Sequence, residues 1–324
     1  MSYTIPKVQR AAVVAQTGQG VQVKEDFPVK QPEDLKPGEC LIRLHCTGVC
    51  HTDLHAALGD WPVPPKVPLV GGHEGVGEVV AIGKGTVDSP VKLGDRVGIK
   101  WIAYSCLTCE QCRKGLEQNC SSVKLSGYTT DGTFQQYVQS WVNVVTPIPE
   151  GISSEAAASV LCAGVTVYRA LKYSRTLPND WTMGLRVIAI DGGEEKRKLC
   201  VEKLGADAWI DFTQTKDIVA EVKRITGGPG ANAAVVTTAS PSGYTQAVDY
   251  LREGGTLMAV GLPAKAELNA SIFFTVFKDA VEAVNIAASG KVQVYYASKP
   301  LQELEGVYDD LGKGKIAGRI VLTM

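Results

Sequence analysis

The chain has 324 residues, with 33 basic and 34 acidic side chains and a net charge of −1. This length suits about two domains with a full core. The balanced charge argues against a nucleic-acid binder or a protein held on an anionic membrane. The longest smooth apolar stretch, 156–167, is too short to span a bilayer. The opening Met1-Ser2-Tyr3-Thr4-Ile5-Pro6 has neither a secretory nor an Arg-rich transit pattern. A cytoplasmic protein is therefore expected, and its nine cysteines are expected to be reduced and available as metal ligands.

Taken in chain order, residues 1 to about 150 are β-rich. Runs such as Arg10–Ala15, Cys40–Cys46 and Gly77–Ile82 are broken by Gly, Pro and Asp. Near Ser153 the pattern changes, and Ser153 or Ser154 can cap a helix through Ala156–Leu161. Strands and helices then alternate. Strands are expected at Arg186–Ile190, Ala208–Asp211, Ala233–Thr237 and Thr256–Val260. Helices are expected at Glu194–Leu204, Asp217–Ile225 and Tyr244–Arg252. This is the βαβ rhythm of a parallel sheet. Asp279, with Glu282 three residues on, predicts an N-cap for a helix toward Ala288. Gly318–Leu322 reads as a last strand.

Cys106, Cys109, Cys112 and Cys120 form a C-x2-C-x2-C-x7-C run. Four thiolates this close in sequence can converge on one tetrahedral, closed structural zinc site. Disulfides or loose core thiols are the alternative, and they suit a secreted protein better. A second set, Cys50, His73 and Cys162, has the two-cysteine, one-histidine composition of a zinc site with an open fourth position. Spacing alone does not join these three. A cysteine in an apolar helix is ordinarily a small core residue.

The surrounding sequence carries more information. The phrases Cys50–His55, Gly59-Asp60-Trp61-Pro62, Gly71–Gly77, Gly94–Gly98, the four-cysteine run and Leu161–Tyr168 closely resemble the zinc-dependent medium-chain alcohol dehydrogenases, in particular their yeast and fungal ethanol-type branch. The resemblance runs from about Ala11 to the C-terminus. It implies two zinc ions per chain, NAD as cofactor, and interconversion of small primary alcohols and aldehydes. By this match Cys50, His73 and Cys162 hold the catalytic zinc, whose Lewis acidity lowers the pKa of an alcohol hydroxyl. Thr52 would receive the alcohol proton, and His55 would end the relay at the surface. Asp53 would orient the histidine ligand, and Glu74 would tune the field beside the metal. Trp61 and Trp101 would wall a small substrate pocket. Asp191, ending a strand, would accept the adenosine ribose hydroxyls and select NAD over NADP. Lys196 would lie near the same ribose, His51 and Arg319 at the pyrophosphate, and Thr166 beside the nicotinamide. A homo-oligomer, a tetramer in the fungal pattern, is also implied, with no nucleic-acid or membrane partner. Cys40, Cys46 and Cys200 remain as buried or inert thiols.

The expected fold is α/β: a GroES-like β-rich catalytic domain over 1–160, a Rossmann-type doubly wound domain over 161–292 and a return segment over 293–324. Two family segments are missing. A dinucleotide fingerprint places its glycines about 20 positions before the acidic residue, yet 165–183, ahead of Asp191, contains no glycine. Gly228-Pro229-Gly230-Ala231-Asn232-Ala233 fits the pattern but precedes a strand, so it reads as a turn. A second gap falls at Phe277-Lys278-Asp279. In the order 3-2-1-4-5-6 these gaps remove strands 1 and 6, and with strand 1 the helix N-terminus that binds pyrophosphate. Poor NAD affinity is expected. The alternative function is a non-catalytic zinc protein or inactive subunit of the same family.

Overall fold

The computed structural model describes residues 3–174, 176, 186–238, 240–261, 277–290 and 292–324. The chain forms two compact units, one from residues 1–165 and 275–324 and one from 166–274.

The first unit begins with β1 (Val8–Val14), β2 (Gln22–Pro28) and β3 (Glu39–Val49), followed by helix α1 (His51–Leu58). Strands β4 (Leu69–Val70), β5 (Gly75–Ile82), β6 (Arg96–Gly98) and β7 (Ile102–Tyr104) come next. A short helix α2 (Glu110–Arg113) and strands β8 (Lys124–Leu125), β9 (Tyr137–Trp141) and β10 (Thr146–Pro147) complete the β-rich part. Strand β3 is apolar for most of its length because both of its faces are covered. Cys40, Ile42 and Leu44 pack with Val79, Val97 and Val138, while Leu41 packs with Val29, Leu35 and Val80. Helix α3 (Ser154–Ser159) starts where Ser153 Oγ accepts the Ala156 N–H at 3.2 Å, a cap worth about 1 kcal/mol. A π-helical turn over Val160–Gly164 follows and leads into α4 (Val165–Tyr173).

The second unit alternates strand and helix as the sequence predicts. Strand β11 (Ile188–Asp191) is followed by α5 (Glu194–Arg197), which continues as a π-helical turn to Lys203. Strand β12 (Ala208–Asp211) precedes α6 (Ile218–Ile225), whose N-cap Asp217 accepts the Ala220 N–H at 2.8 Å. Then come β13 (Ala231–Val236), α7 (Pro241–Tyr250) and β14 (Leu251–Ala259). Gly228 and Gly230 both have positive φ ahead of β13, as expected of a turn.

The strands of this unit pair only two by two. β11 lies parallel to β12 and β13 parallel to β14, and among the described residues no strand joins the pairs. These pairs occupy the places of strands 2, 3 and 4, 5 in the expected order. The interruption falls where strand 1 would stand. Ile188 and Ile190 are only half-buried, although they pack toward Ile210, Ile218 and Val222. The sequence positions of both missing segments, 181–184 and the approach to 277, lie outside the described residues or at their edge.

The chain returns to the first unit through α8 (Phe277–Ala288), β15 (Tyr296–Pro300), α9 (Leu304–Gly312) and β16 (Arg319–Thr323). Helix α8 starts before Asp279, so that residue sits in the first turn and does not precede it; its side-chain contacts lie outside the described residues. The helix packs against the π-helical turn and β10. Residues 277–292, expected in the second domain, therefore group with the first unit. Strand β16 pairs antiparallel with β3 and parallel with β15, giving the order β10-β6-β5-β3-β16-β15, with β9 also on β3.

Candidate metal centres and active site

The end of β3 delivers Cys50 to the N-cap of α1, where its backbone N–H donates to Asp53 Oδ2 at 2.9 Å. Asp53 is one carboxylate serving two groups. Its Oδ1 accepts from His73 Nδ1 at 2.8 Å, and both side chains are 1% exposed. That bond fixes the ring's orientation, so that a metal replacing the Nε2 proton would meet the Nε2 lone pair. Nε2 lies 3.3 Å from Cys162 Sγ, which the π-helical turn supplies, and Cys162 Sγ lies 3.9 Å from Cys50 Sγ. A single π-turn inside a helix commonly marks a functional position.

These separations can be tested against zinc. Bonds of about 2.3 Å to sulfur and 2.0–2.1 Å to nitrogen in a tetrahedron place the ligand atoms about 3.5–3.8 Å apart. The donor atoms of Cys50, His73, Glu74 and Cys162 all fall within 4.8 Å of one another, so the site fits the ion. The hydrogen bond with Cys162 holds the Cys50 thiol well below its ordinary range, against the effect of burial. Burial disfavours charge on His73, but Asp53 and Cys50 push its pKa well above the usual value.

Glu74 is fully buried, and burial lifts its carboxyl to about 7 while Arg319 opposes the rise. Arg319 Nη2 stands 3.1 Å from Glu74 Oε1. This is an ion contact without hydrogen-bond alignment, because both Glu74 oxygens lack a hydrogen-bond partner. Gly48 makes room for the carboxylate: a Cβ there would sit 2.0 Å from Glu74 Oε2. Arg319 Nη1 also donates to the Val49 carbonyl at 3.0 Å, and His51 Nε2 meets the Leu311 carbonyl at 3.1 Å. Both residues, expected at a pyrophosphate, are engaged here within the first unit.

Thr52 lies in the first turn of α1, between His51 and Asp53, and is half-buried. One turn on, His55 Nδ1 meets Asp60 Oδ1 at 2.9 Å, and the imidazole stacks on Trp61 with centroids 5.5 Å apart. Trp101 packs edge-on to His73 at 5.1 Å. Its indole Nε1 is buried without a hydrogen-bond partner. Tyr128 touches both Trp61 and Trp101, at 5.6 and 5.7 Å between centroids, and donates its hydroxyl to the Val63 carbonyl. Tyr128 was not singled out from sequence. It stands in an irregular segment after β8, and its only advance signal is the neighbouring Gly127, held at positive φ against Gly72.

The second cluster lies in the loop around α2. Cys106 Sγ is 3.9 Å from Cys112 Sγ and 3.6 Å from Cys120 Sγ, and the four sulfurs lie within 4.8 Å of one another. A disulfide needs about 2.05 Å, and all nine cysteines are free thiols. The spacing again matches tetrahedral sulfur around zinc. Backbone N–H groups of Thr108 and Cys109 pull the Cys106 thiol down to about 5. Cys40 and Cys46 are buried, with thiols pushed up to about 12 by that burial. Cys200 is half-buried, with its thiol also raised.

In the second unit Asp191 ends β11, and its Oδ1 accepts from Gly192 N at 2.7 Å and from Lys196 Nζ at 3.0 Å. Thr166 lies in α4.

The model of the alcohol dehydrogenase GroES-like domain matches residues 36–150, and that of the zinc-binding dehydrogenase domain matches 181–293. Alcohol dehydrogenase 1 of Emericella nidulans is 41% identical over 99% of both chains, and the alcohol dehydrogenase of Schizosaccharomyces pombe is 42% identical over 99% of both. Alcohol dehydrogenase 1 of Neurospora crassa is 44% identical over 99% of this chain and 98% of its own. The solved alcohol dehydrogenase of the archaeon Aeropyrum pernix is 30% identical, with a TM-score of 0.85 over 97% of this chain and all of that one. The chain belongs to the zinc-dependent medium-chain alcohol dehydrogenase family. Its end-to-end likeness to the three fungal enzymes places it in the fungal branch. The Emericella alignment runs over 354 positions against 324 residues here, so at least 30 of its positions (354 minus 324) have no counterpart in this chain.

Proposed function

We propose that this chain interconverts small primary alcohols and aldehydes with NAD, using a zinc site made by Cys50, His73 and Cys162. The observation that carries this reading is the convergence of those three donors, with His73 keyed by Asp53. A zinc ion held there supplies Lewis acidity toward an alcohol oxygen, and NAD, when bound, takes the hydride. The protein's share is positional. Asp53 holds the His73 tautomer, and Arg319 balances the Glu74 charge behind the site. Thr52 accepts the alcohol proton through its hydroxyl. His55, braced by Asp60, exchanges that proton with water. Trp61, Trp101 and Tyr128 exclude bulky alcohols and water. Asp191 and Lys196 take the adenosine ribose. The cysteine lobe holds the second, structural zinc. A cytoplasmic homo-oligomer, tetrameric in the fungal pattern, belongs to this reading. Among the described residues no helix is long and apolar enough to cross a membrane.

The test is the absorbance of NADH formed from ethanol by the purified, zinc-loaded chain. Ethanol-dependent signal is expected only at NAD concentrations of about a millimolar, the range of a cofactor bound with roughly 4 kcal/mol. The interrupted sheet favours one second reading, an inactive family subunit. Silence in this assay even at saturating NAD establishes that reading.

The carboxylate beneath His73 gives an independent handle. Asp53→Asn is expected to weaken zinc at this cluster by about 10–100-fold, read by competition with a chelator. The cysteine lobe should keep its ion. Equal affinity in variant and parent would remove Asp53 from the site.

A further inference from the structure

Trp61 is carried by the irregular segment 59–68, between α1 and β4. Pro62, Pro64, Pro65 and Pro68 crowd this segment, and none of them has an N–H with which to tie it down. Its ends are fixed. At one end the Gly59 N–H donates to the His55 carbonyl at 2.8 Å as α1 closes. At the other, Asp131 Oδ1 accepts from Lys66 Nζ at 2.7 Å and from the Val70 N–H at 3.0 Å. Between them Val63 stands 64% exposed. The middle is gripped by one residue. Tyr128 donates its hydroxyl to the Val63 carbonyl, and its own carbonyl accepts from the Lys66 N–H at 2.8 Å.

Tyr128 is a firm support for that grip. It is buried, and its ring packs on both Trp61 and Trp101. The preceding Gly127 lies so close to the turn carrying His73 that a Cβ on it would sit 2.6 Å from the Gly72 nitrogen. The Tyr128 hydroxyl therefore refers the position of an exposed, proline-rich segment to the turn that supplies a zinc donor.

We propose that Tyr128 is a positioning residue for the pocket: its hydroxyl, closed on the Val63 carbonyl, holds Trp61 against Trp101 and so sets how large an alcohol the site accepts. This rests on the reading in which Trp61 and Trp101 wall the substrate pocket. The ring serves packing and the hydroxyl serves position, so removing the hydroxyl alone separates the two. Val63 is exposed, and its carbonyl then turns to water. The loss is one hydrogen bond, without the penalty of a buried unpaired acceptor.

The experiment compares Tyr128→Phe with the parent, both as the zinc-loaded full chain. Amide hydrogen exchange, read without substrate, is expected to run about three- to tenfold faster at Lys66, the worth of one hydrogen bond in a local opening. Exchange at Cys120, in the cysteine lobe, should not move. In the NADH assay at saturating NAD, kcat/KM for isobutanol relative to ethanol should rise by the same factor, carried by a lower KM for isobutanol. A variant that is merely unstable would lose activity toward both alcohols together. In a Trp61→Ala background, where the wall is gone, adding Tyr128→Phe should leave the ratio where it is. Unchanged exchange at Lys66, an unchanged alcohol ratio, or a further rise in the Trp61→Ala background overturns the proposal. A parent silent toward every alcohol sinks the proposed activity instead, and exchange at Lys66 then decides the clamp alone.

Discussion

Replacing Cys162 with alanine is expected to lower the zinc content from two ions per chain to one. Alcohol-dependent NADH formation should fall at least about 10²–10³-fold, the scale seen when one preorganised electrostatic stabiliser is lost. The structure gives the reason. Cys162 is the hinge of the donor set: it is the sulfur within 3.3 Å of His73 Nε2 and 3.9 Å of Cys50. Without it, two donors remain beside a buried carboxylate, too few for a tetrahedral site. Cys200→Ala is the matching control, because that thiol is in neither cluster. Metal analysis reads the first effect and the absorbance assay the second. A Cys162→Ala protein that keeps both ions would refute the ligand assignment.

Restoring the absent strand–glycine turn–helix unit between Trp181 and Gly184 is expected to tighten NAD binding by about 10²–10³-fold, or roughly 2.7–4.1 kcal/mol. Two effects combine in that gain. A new central strand would fill the interruption between the pair β11–β12 and the pair β13–β14, and would cover Ile188 and Ile190, which are now half-buried. Its glycine turn would also open a helix whose N-terminal N–H groups receive the pyrophosphate. Calorimetry on the parent and the graft measures the difference. Micromolar NAD binding by the parent would show that the gap costs the chain nothing.

The parts of this protein that could be read from its sequence are the local ones. The four-cysteine run declares itself because its ligands are near neighbours, so spacing and geometry say the same thing. Ser153 is found as a cap for the same reason: a cap and its helix share a few residues. Cys50, His73 and Cys162 come from three distant stretches, and resemblance alone links them before the fold does. The missing strand is legible as a lack of glycine, since the family's turn demands one. The engagement of Arg319 with Glu74 was not legible. It depends on which strand β16 pairs with, and a sheet partner is a non-local choice. Tyr128 stayed hidden because it sits in irregular chain, where no period marks which side chains turn inward.

Strand β16 is the last element of the chain, yet it lies inside the main sheet between β3 and β15. During synthesis β3, β5 and β9 emerge early, while β16, the partner of Cys46–Val49 at the end of β3, follows only after the second unit. Until then the Glu74 carboxylate has no arginine, and the strand carrying Cys50 has an unpaired flank. The unit made first thus matures last. A nascent chain stalled before Arg319 would hold every residue proposed to bind zinc but lack the cation that balances the charge behind them.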